Sequence, residues 1–191
     1  MLNRCSWCGG DADYQRYHDN EWAVPVFDDQ LLFEMLILEG AQAGLNWLTI
    51  LRKRENYRQA FDDYDPHKIA AYDEKKFQQL KNNPGIVRHS QKIRSAINNA
   101  QCYLILCQQK KSFSGYLWDF VDYKPIQNHW RESKDIPTTT PLSETLSKDL
   151  KQRGFSFVGP TITYAFMQAV GLVNDHLTSC HRHPNHNTIP R

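Results

Sequence analysis

The sequence predicts an all-α protein, and three features carry that prediction. Apolar residues recur at spacings of three and four through Ile93, Ile97, Ala100, Leu104 and Cys107, the signature of an amphipathic helix over 91–107. Good N-cap residues stand at the head of further short periodic segments, twice followed at once by proline. No comparable run of period-two alternation points to a half-buried strand.

In chain order, Asp28 or Asp29 opens a helix through Leu31, Leu32, Phe33, Met35, Leu36, Ile37 and Leu38. That run is apolar on nearly every side, so burial is expected. In "LILEGAQAGLNW", residues 36–47, it ends on Glu39 against Gly40. An ionised carboxylate there either turns out to water or finds donors or a cavity inside. Asp65 with Pro66 opens the next helix, and Asp73 opens "EKKFQQLKN". Between Asp122 and Leu142, "YKPIQNHWRESKDIPTTTP" is polar and holds three prolines, which reads as a long surface loop. Thr140 with Pro141 opens "LSETLSKDLKQR", closed by Gly154. A tight turn, "GFSFVG", leads to a last helix from Pro160 through Ile162, Phe166, Ala169 and Val170. Free amides and the dipole at its start suit an anion such as a DNA phosphate, and Lys148, Lys151 and Arg153 lie just upstream.

At 191 residues the chain suits one domain with room for a sizeable core. No apolar stretch approaches the roughly 18 residues of a membrane helix. "MLNRCSWCGG" has neither the apolar region of a signal peptide nor a basic amphipathic pattern, so the expected location is the cytoplasm. Five cysteines, an odd number in a reducing compartment, point to metal ligation or buried thiols instead of a disulfide framework. The net charge of +2 says little, but residues 76–111 hold seven Lys or Arg (Lys76, Lys81, Arg88, Lys92, Arg94, Lys110, Lys111) and no acid. That stretch suits a polyanion or a solvated face with counter-charges elsewhere in the fold. The only biased stretch is the tail "HRHPNHNTIPR".

Two Cys/His pairs stand out, Cys5 with His18 and His176 with Cys180. In "NDHLTSC" the second pair is spaced to share one helix face, and two Cys with two His is a common closed tetrahedral zinc set. Spacing leaves rivals open: Cys8, which makes "CSWC" a CxxC, and His181, His183 and His186.

Long strings extend these readings: "RCSW", "YHDNEWAVP", "LFEMLILEGAQAGLNWLTILRKRENYRQAFDDYDP", "GIVRHSQKIRSAINNA" and "RGFSFVGPTITYAFMQAVGLVNDH". Through them the chain resembles the bacterial 3-methyladenine DNA glycosylase I family over nearly its whole length. The resemblance implies an all-α helix-hairpin-helix glycosylase fold over 1–191, with the helix-hairpin-helix at about 143–171. It implies hydrolysis of the N-glycosidic bond of 3-methyladenine in double-stranded DNA by a monomer. It assigns Cys5, His18, His176 and Cys180, not Cys8, to one structural zinc that clips segments 5–18 and 176–180. It places Tyr17 and Trp47 in the base pocket, with Trp7, Tyr14 and Trp22 as further aromatic candidates, and Glu39 at its floor as the catalytic carboxylate. Lys151, Arg153, Gly154, Gly159 and Thr161 are the implied DNA contacts. The wider superfamily carries a catalytic Asp in a Val-Asp-x-His context; here "VNDH" puts Asn174 there and Asp175 one residue out of register. "GFSFVGPT" also lacks the superfamily's nucleophilic lysine, so no AP-lyase step is expected. Two departures are Ala23, where the family usually has Gly, and Asn46, where it often has Ser.

Overall fold

The computed structural model describes residues 2–186, so the end of the His-rich tail, 187–191, lies outside the described residues. Ten helices are present among them: α1 (Ala12–Asn20), α2 (Asp29–Gln42), α3 (Trp47–Leu51), α4 (Arg54–Ala60), α5 (Pro66–Ala70), α6 (Glu74–Asn82), α7 (Ser90–Lys110), α8 (Phe113–Asp119), α9 (Pro141–Gln152) and α10 (Pro160–Ala169). The predicted caps form. Asp28 accepts from the Leu31 amide, Asp65 from those of His67 and Lys68, and Asp73 from that of Lys76. Thr140 and Ser143 make a reciprocal capping box at the head of α9. Asp29 acts elsewhere, accepting from the Phe113 and Ser114 amides and so capping α8 across space.

Helix α2 is the axis of the core. Every residue from Leu32 to Ala41 is buried, and α2 packs against α3, α7, α8 and α10. It runs one turn past Glu39, to Gln42, so the carboxylate lies within the helix and not at its frayed end.

The segment read as a surface loop is tied down. Ile126–Gln127 (β1) pairs in parallel with Val173–Asn174 (β2), opposing Ile126 to Val173 and Gln127 to Asn174. Two residues are too few to show alternation, so this ladder left no periodic trace. Just before β2, Gly171 at φ +75° lets a different segment, Val24–Pro25, come close: an added Cβ would sit 2.4 Å from the Val24 carbonyl carbon. Ala23, opposite it in the same segment, is itself left-handed at φ +61°. A glycine would hold that conformation without the ~1 kcal/mol that a Cβ adds. Asn46 caps α3 by accepting from the Leu48 amide, as a serine could.

Candidate active site

A cavity of about 380 Å³ opens between α1, α2, α10 and the anchored loop, and all five predicted aromatic residues, Trp7, Tyr14, Tyr17, Trp22 and Trp47, line it with Glu39. Helix α1 supplies Tyr14 and Tyr17, three apart on one face; Trp47 begins α3 directly behind its cap. The rings brace one another: Trp7 meets Tyr14 and Trp22 edge-on, each at 5.0 Å between centroids, and Tyr17 meets Trp47 at 5.4 Å. Such a cage offers π-faces to a flat ligand without collapsing when empty.

Glu39 is buried, and its Oε2 has no hydrogen-bond partner. Burial pushes its carboxyl up from 4.5 to about 8. The indole nitrogens of Trp7 and Trp47 are likewise buried and unpartnered. Orphaned groups of both kinds in one cavity mark a ligand site with polar demands.

Asp175 is also fully buried, yet both its oxygens are occupied. Asn128 Nδ2 and Trp130 Nε1 donate to Oδ1 at 2.7 and 2.8 Å, and the Tyr164 hydroxyl and Gln168 Nε2 donate to Oδ2 at 2.6 and 2.7 Å. Tyr164 and Gln168 line the cavity, and Asn128 and Trp130 hold the loop whose Ser133 and Ile136–Thr138 form its lip. Asp175 does not itself line the cavity; it ties two walls together.

Behind the aromatic wall, Cys5, His18, His176 and Cys180 are all buried with their ligand atoms within 4.8 Å of one another, so this group could hold a metal ion. Trp22 lies between cavity and cluster, its ring centroid 4.7 Å from that of His176. His18 Nδ1 pairs with Asp19 at 2.8 Å, and His176 Nε2 faces the Trp22 carbonyl, which leaves one nitrogen of each ring for the cluster. Arg4 holds the Asp19 carboxyl down at about 2. The rivals fall elsewhere: the Cys8 thiol faces the Cys5 carbonyl, His181 faces Asn3, His183 pairs with His129, and His186 faces Thr178.

The α9–α10 hairpin flanks the cavity, and Thr161 reaches the lining from the first turn of α10. Gly154 turns the chain after α9 at φ +90°, and Gly159 begins α10 without a side-chain cap. Lys151 is exposed and shares a surface cleft with Lys148 and Pro160. Arg153 is not available in the same way. Its guanidinium pairs with Asp149 at 2.6 Å, bonds Gln109 and lies over the Tyr116 ring. The basic run 76–111 is partly neutralised within the fold: Lys76 pairs with Asp62, Arg94 with Glu74, and Lys92 caps the α2 carbonyls of Ala41 and Ala43.

Sequence reasoning missed Gln42, Tyr164, Ala165 and Gln168 as lining residues. Helical spacing could have found them, since Gln42 follows Glu39 by three and Thr161, Tyr164 or Ala165, and Gln168 form one stripe. Nothing local announces the lip residues Ser133 and Ile136–Thr138.

The comparisons agree with this geometry. A family model described as methyladenine glycosylase matches residues 7–183. The DNA-3-methyladenine glycosylase 1 of Escherichia coli (strain K12) is 49% identical over 183 residues, covering 96% of this chain and 98% of that one. A crystal structure of a 3-methyladenine DNA glycosylase I superimposes with a TM-score of 0.93 at 52% identity, covering 95% of this chain and 100% of the other. The Staphylococcus aureus 3-methyladenine DNA glycosylase I, solved to explain its recognition of 3-methyladenine, gives 0.90 at 41% identity over 94% of this chain and 95% of its own. With its helical fold, aromatic cavity and family match running together from Trp7 to His183, the chain belongs to the methyladenine glycosylase family.

Proposed function

We propose that this protein is a monofunctional base-excision-repair glycosylase that hydrolyses the N-glycosidic bond of 3-methyladenine in alkylated double-stranded DNA. It releases the free base and leaves an abasic site. The observation that carries this reading is the Glu39 carboxyl, buried and unpartnered on Oε2 among electron-rich rings. A neutral purine gains little from a carboxylate there; a cationic one supplies both the counter-charge and an amino donor. The lesion is reached by flipping the nucleotide out of the stack, and the cage of Trp7, Tyr14, Tyr17, Trp22 and Trp47 offsets part of the unstacking cost. A cation over such faces gains ~1 to 2 kcal/mol beyond ordinary stacking, which selects damage over normal adenine.

The cationic base departs with the electron pair of its bond to C1′ and becomes neutral, while water adds to C1′ and releases a proton. A leaving group of that quality needs no general acid, so binding and electrostatics carry the acceleration. Asp175, with four donors, holds walls and not substrate. No lysine in the hairpin 154–159 is placed to form a Schiff base, which supports hydrolysis without AP-lyase chemistry. Gly154, Gly159, Thr161 and Lys151 form the proposed DNA-backbone surface.

Cys5, His18, His176 and Cys180 fit one structural zinc. Around a tetrahedral zinc, sulfur and nitrogen ligands stand about 3.6 Å apart; the Cys5–His176, Cys180–His18 and Cys180–His176 pairs lie at 3.7, 3.4 and 3.5 Å. Amides of Leu177 and Arg182 point at the two sulfurs, the usual support for thiolates. Four protein ligands close the sphere, so the metal would join the two chain ends without touching substrate. The reading takes 1–191 as one domain acting as a cytoplasmic monomer. Incubating the protein with methylated DNA and identifying released bases by chromatography tests it. Release of 3-methyladenine without 7-methylguanine is expected, because the O6 acceptor of a guanine would face Glu39. Comparable release of both indicates a broad-range enzyme, and release of neither a damage-binding protein.

A further inference from the structure

The hairpin between α9 and α10 has its carbonyls and amides treated differently. Its alternate carbonyls are taken by side chains of the surrounding helices. Gly154 O accepts from Asn98 at 2.8 Å, Ser156 O from Asn99 at 2.9 Å and Ser95 at 3.2 Å, and Val158 O from Ser147 at 2.6 Å and Thr163 at 3.1 Å. The amides of Phe157, Val158 and Gly159, by contrast, have no acceptor among the described residues. Asn99 does more than donate to one carbonyl: its Oδ1 also accepts from the Ser156 amide at 2.9 Å, so it grips both backbone groups of one residue as a neighbouring strand would. Both Asn99 and Ser95 are buried, and neither lines the base cavity. The next residue, Phe157, is left-handed at φ +55°, a conformation that a bulky side chain keeps only where its surroundings impose it.

We propose that Asn99, assisted by Ser95, is a positioning residue for DNA engagement. By clamping Ser156 it holds the hairpin with its carbonyls turned into the protein and the amides of residues 157–159 left for a backbone phosphate. A loosened hairpin could rotate a peptide and present an oxygen to that phosphate, turning attraction into repulsion. The inference rests on the reading that this hairpin meets the DNA backbone, and it adds the residues that give the hairpin its polarity.

The test compares two affinities in the full-length protein: for a duplex with an abasic-site analogue, at one fixed salt concentration because salt alone shifts DNA affinity, and for free 3-methyladenine, read by quenching of the cavity tryptophans. Asn99→Leu, close in volume but unable to grip Ser156, is expected to weaken duplex binding about tenfold and leave free-base binding unchanged. Ser95→Ala moves the same ratio less, and decides the question if Asn99→Leu does not fold. Unchanged duplex affinity overturns the proposal. So does an equal loss of both affinities, which would make Asn99 a general packing residue. Gly159→Asp separates this failure from failure of the underlying reading. An added Cβ at Gly159 meets nothing within 4 Å and its φ of −62° suits any residue, so a carboxylate can be placed at the same amides. If that variant still binds duplex normally, the hairpin is not the DNA-backbone site at all. If it fails to bind while Asn99→Leu binds fully, only the positioning role falls.

Discussion

Glu39 and Asp175 are both removed from water, and only Asp175 is surrounded by donors. For Glu39 the consequence is a carboxyl that stays protonated in the folded protein up to about pH 8, against 4.5 for the free side chain. Between those values the folded state holds a proton that the unfolded state has lost, so Glu39 makes stability fall as pH rises through the window and level off above about 8. Glu39→Gln cannot titrate. Melting curves at pH 5 and pH 9 are expected to show the variant gaining stability relative to the parent at the higher pH. Excision should go the other way. Loss of a charge-assisted hydrogen bond to a cationic base slows single-turnover release by about ten- to a hundredfold. The acid limb of kcat/KM, rising toward about pH 8 as the carboxylate forms, should vanish with it. A variant that keeps both the rate and the limb removes Glu39 from the mechanism.

At the level of elements, Asp175 joins what the chain leaves separate: Asn128 and Trp130 beyond β1, and Tyr164 and Gln168 on α10. Asp175→Asn keeps one acceptor oxygen and turns an NH2 group on donors. Such a buried mismatch costs about 3 kcal/mol, read as a lower melting temperature. On folded, metal-replete protein the excision rate should fall less than in Glu39→Gln; the reverse order would make Asp175 the catalytic carboxylate. The helices around this joint were legible because their signals are local: Asp28, Asp65, Asp73 and Thr140 each cap amides two or three residues ahead. The β1–β2 ladder was not, because its partners are some 47 residues apart and each strand is two residues long.

For the molecule as a whole, the Cys/His cluster joins segments far apart in the chain, with Cys5 and His176 separated by 171 positions. A metal held by ligands that meet only on folding adds its binding free energy to the stability of the folded state. Purified protein is expected to hold about one zinc per chain. Cys180→Ser should lower the melting temperature more than it lowers activity measured on folded protein at low temperature. Metal analysis without zinc, or a fully stable but inert Cys180→Ser variant, contradicts the structural assignment.

Caps, the stripe on α7 and the long family strings could be read from the sequence, because each depends on residues within a few positions or on the strings themselves; the Cys/His set came from the strings alone, since His176 and Cys180 lie in a turn after β2 and not on the helix face that their spacing suggested. Tertiary structure alone decided which polar groups found partners. It left Glu39 without one and gave Asp175 four, engaged Arg153 with Asp149, and drew a proline-rich loop into the wall of the cavity. The physical reason is that a charge's cost depends on its burial and its donors, and here both are set by segments distant in the chain and adjacent only once α2, α10 and the loop have packed.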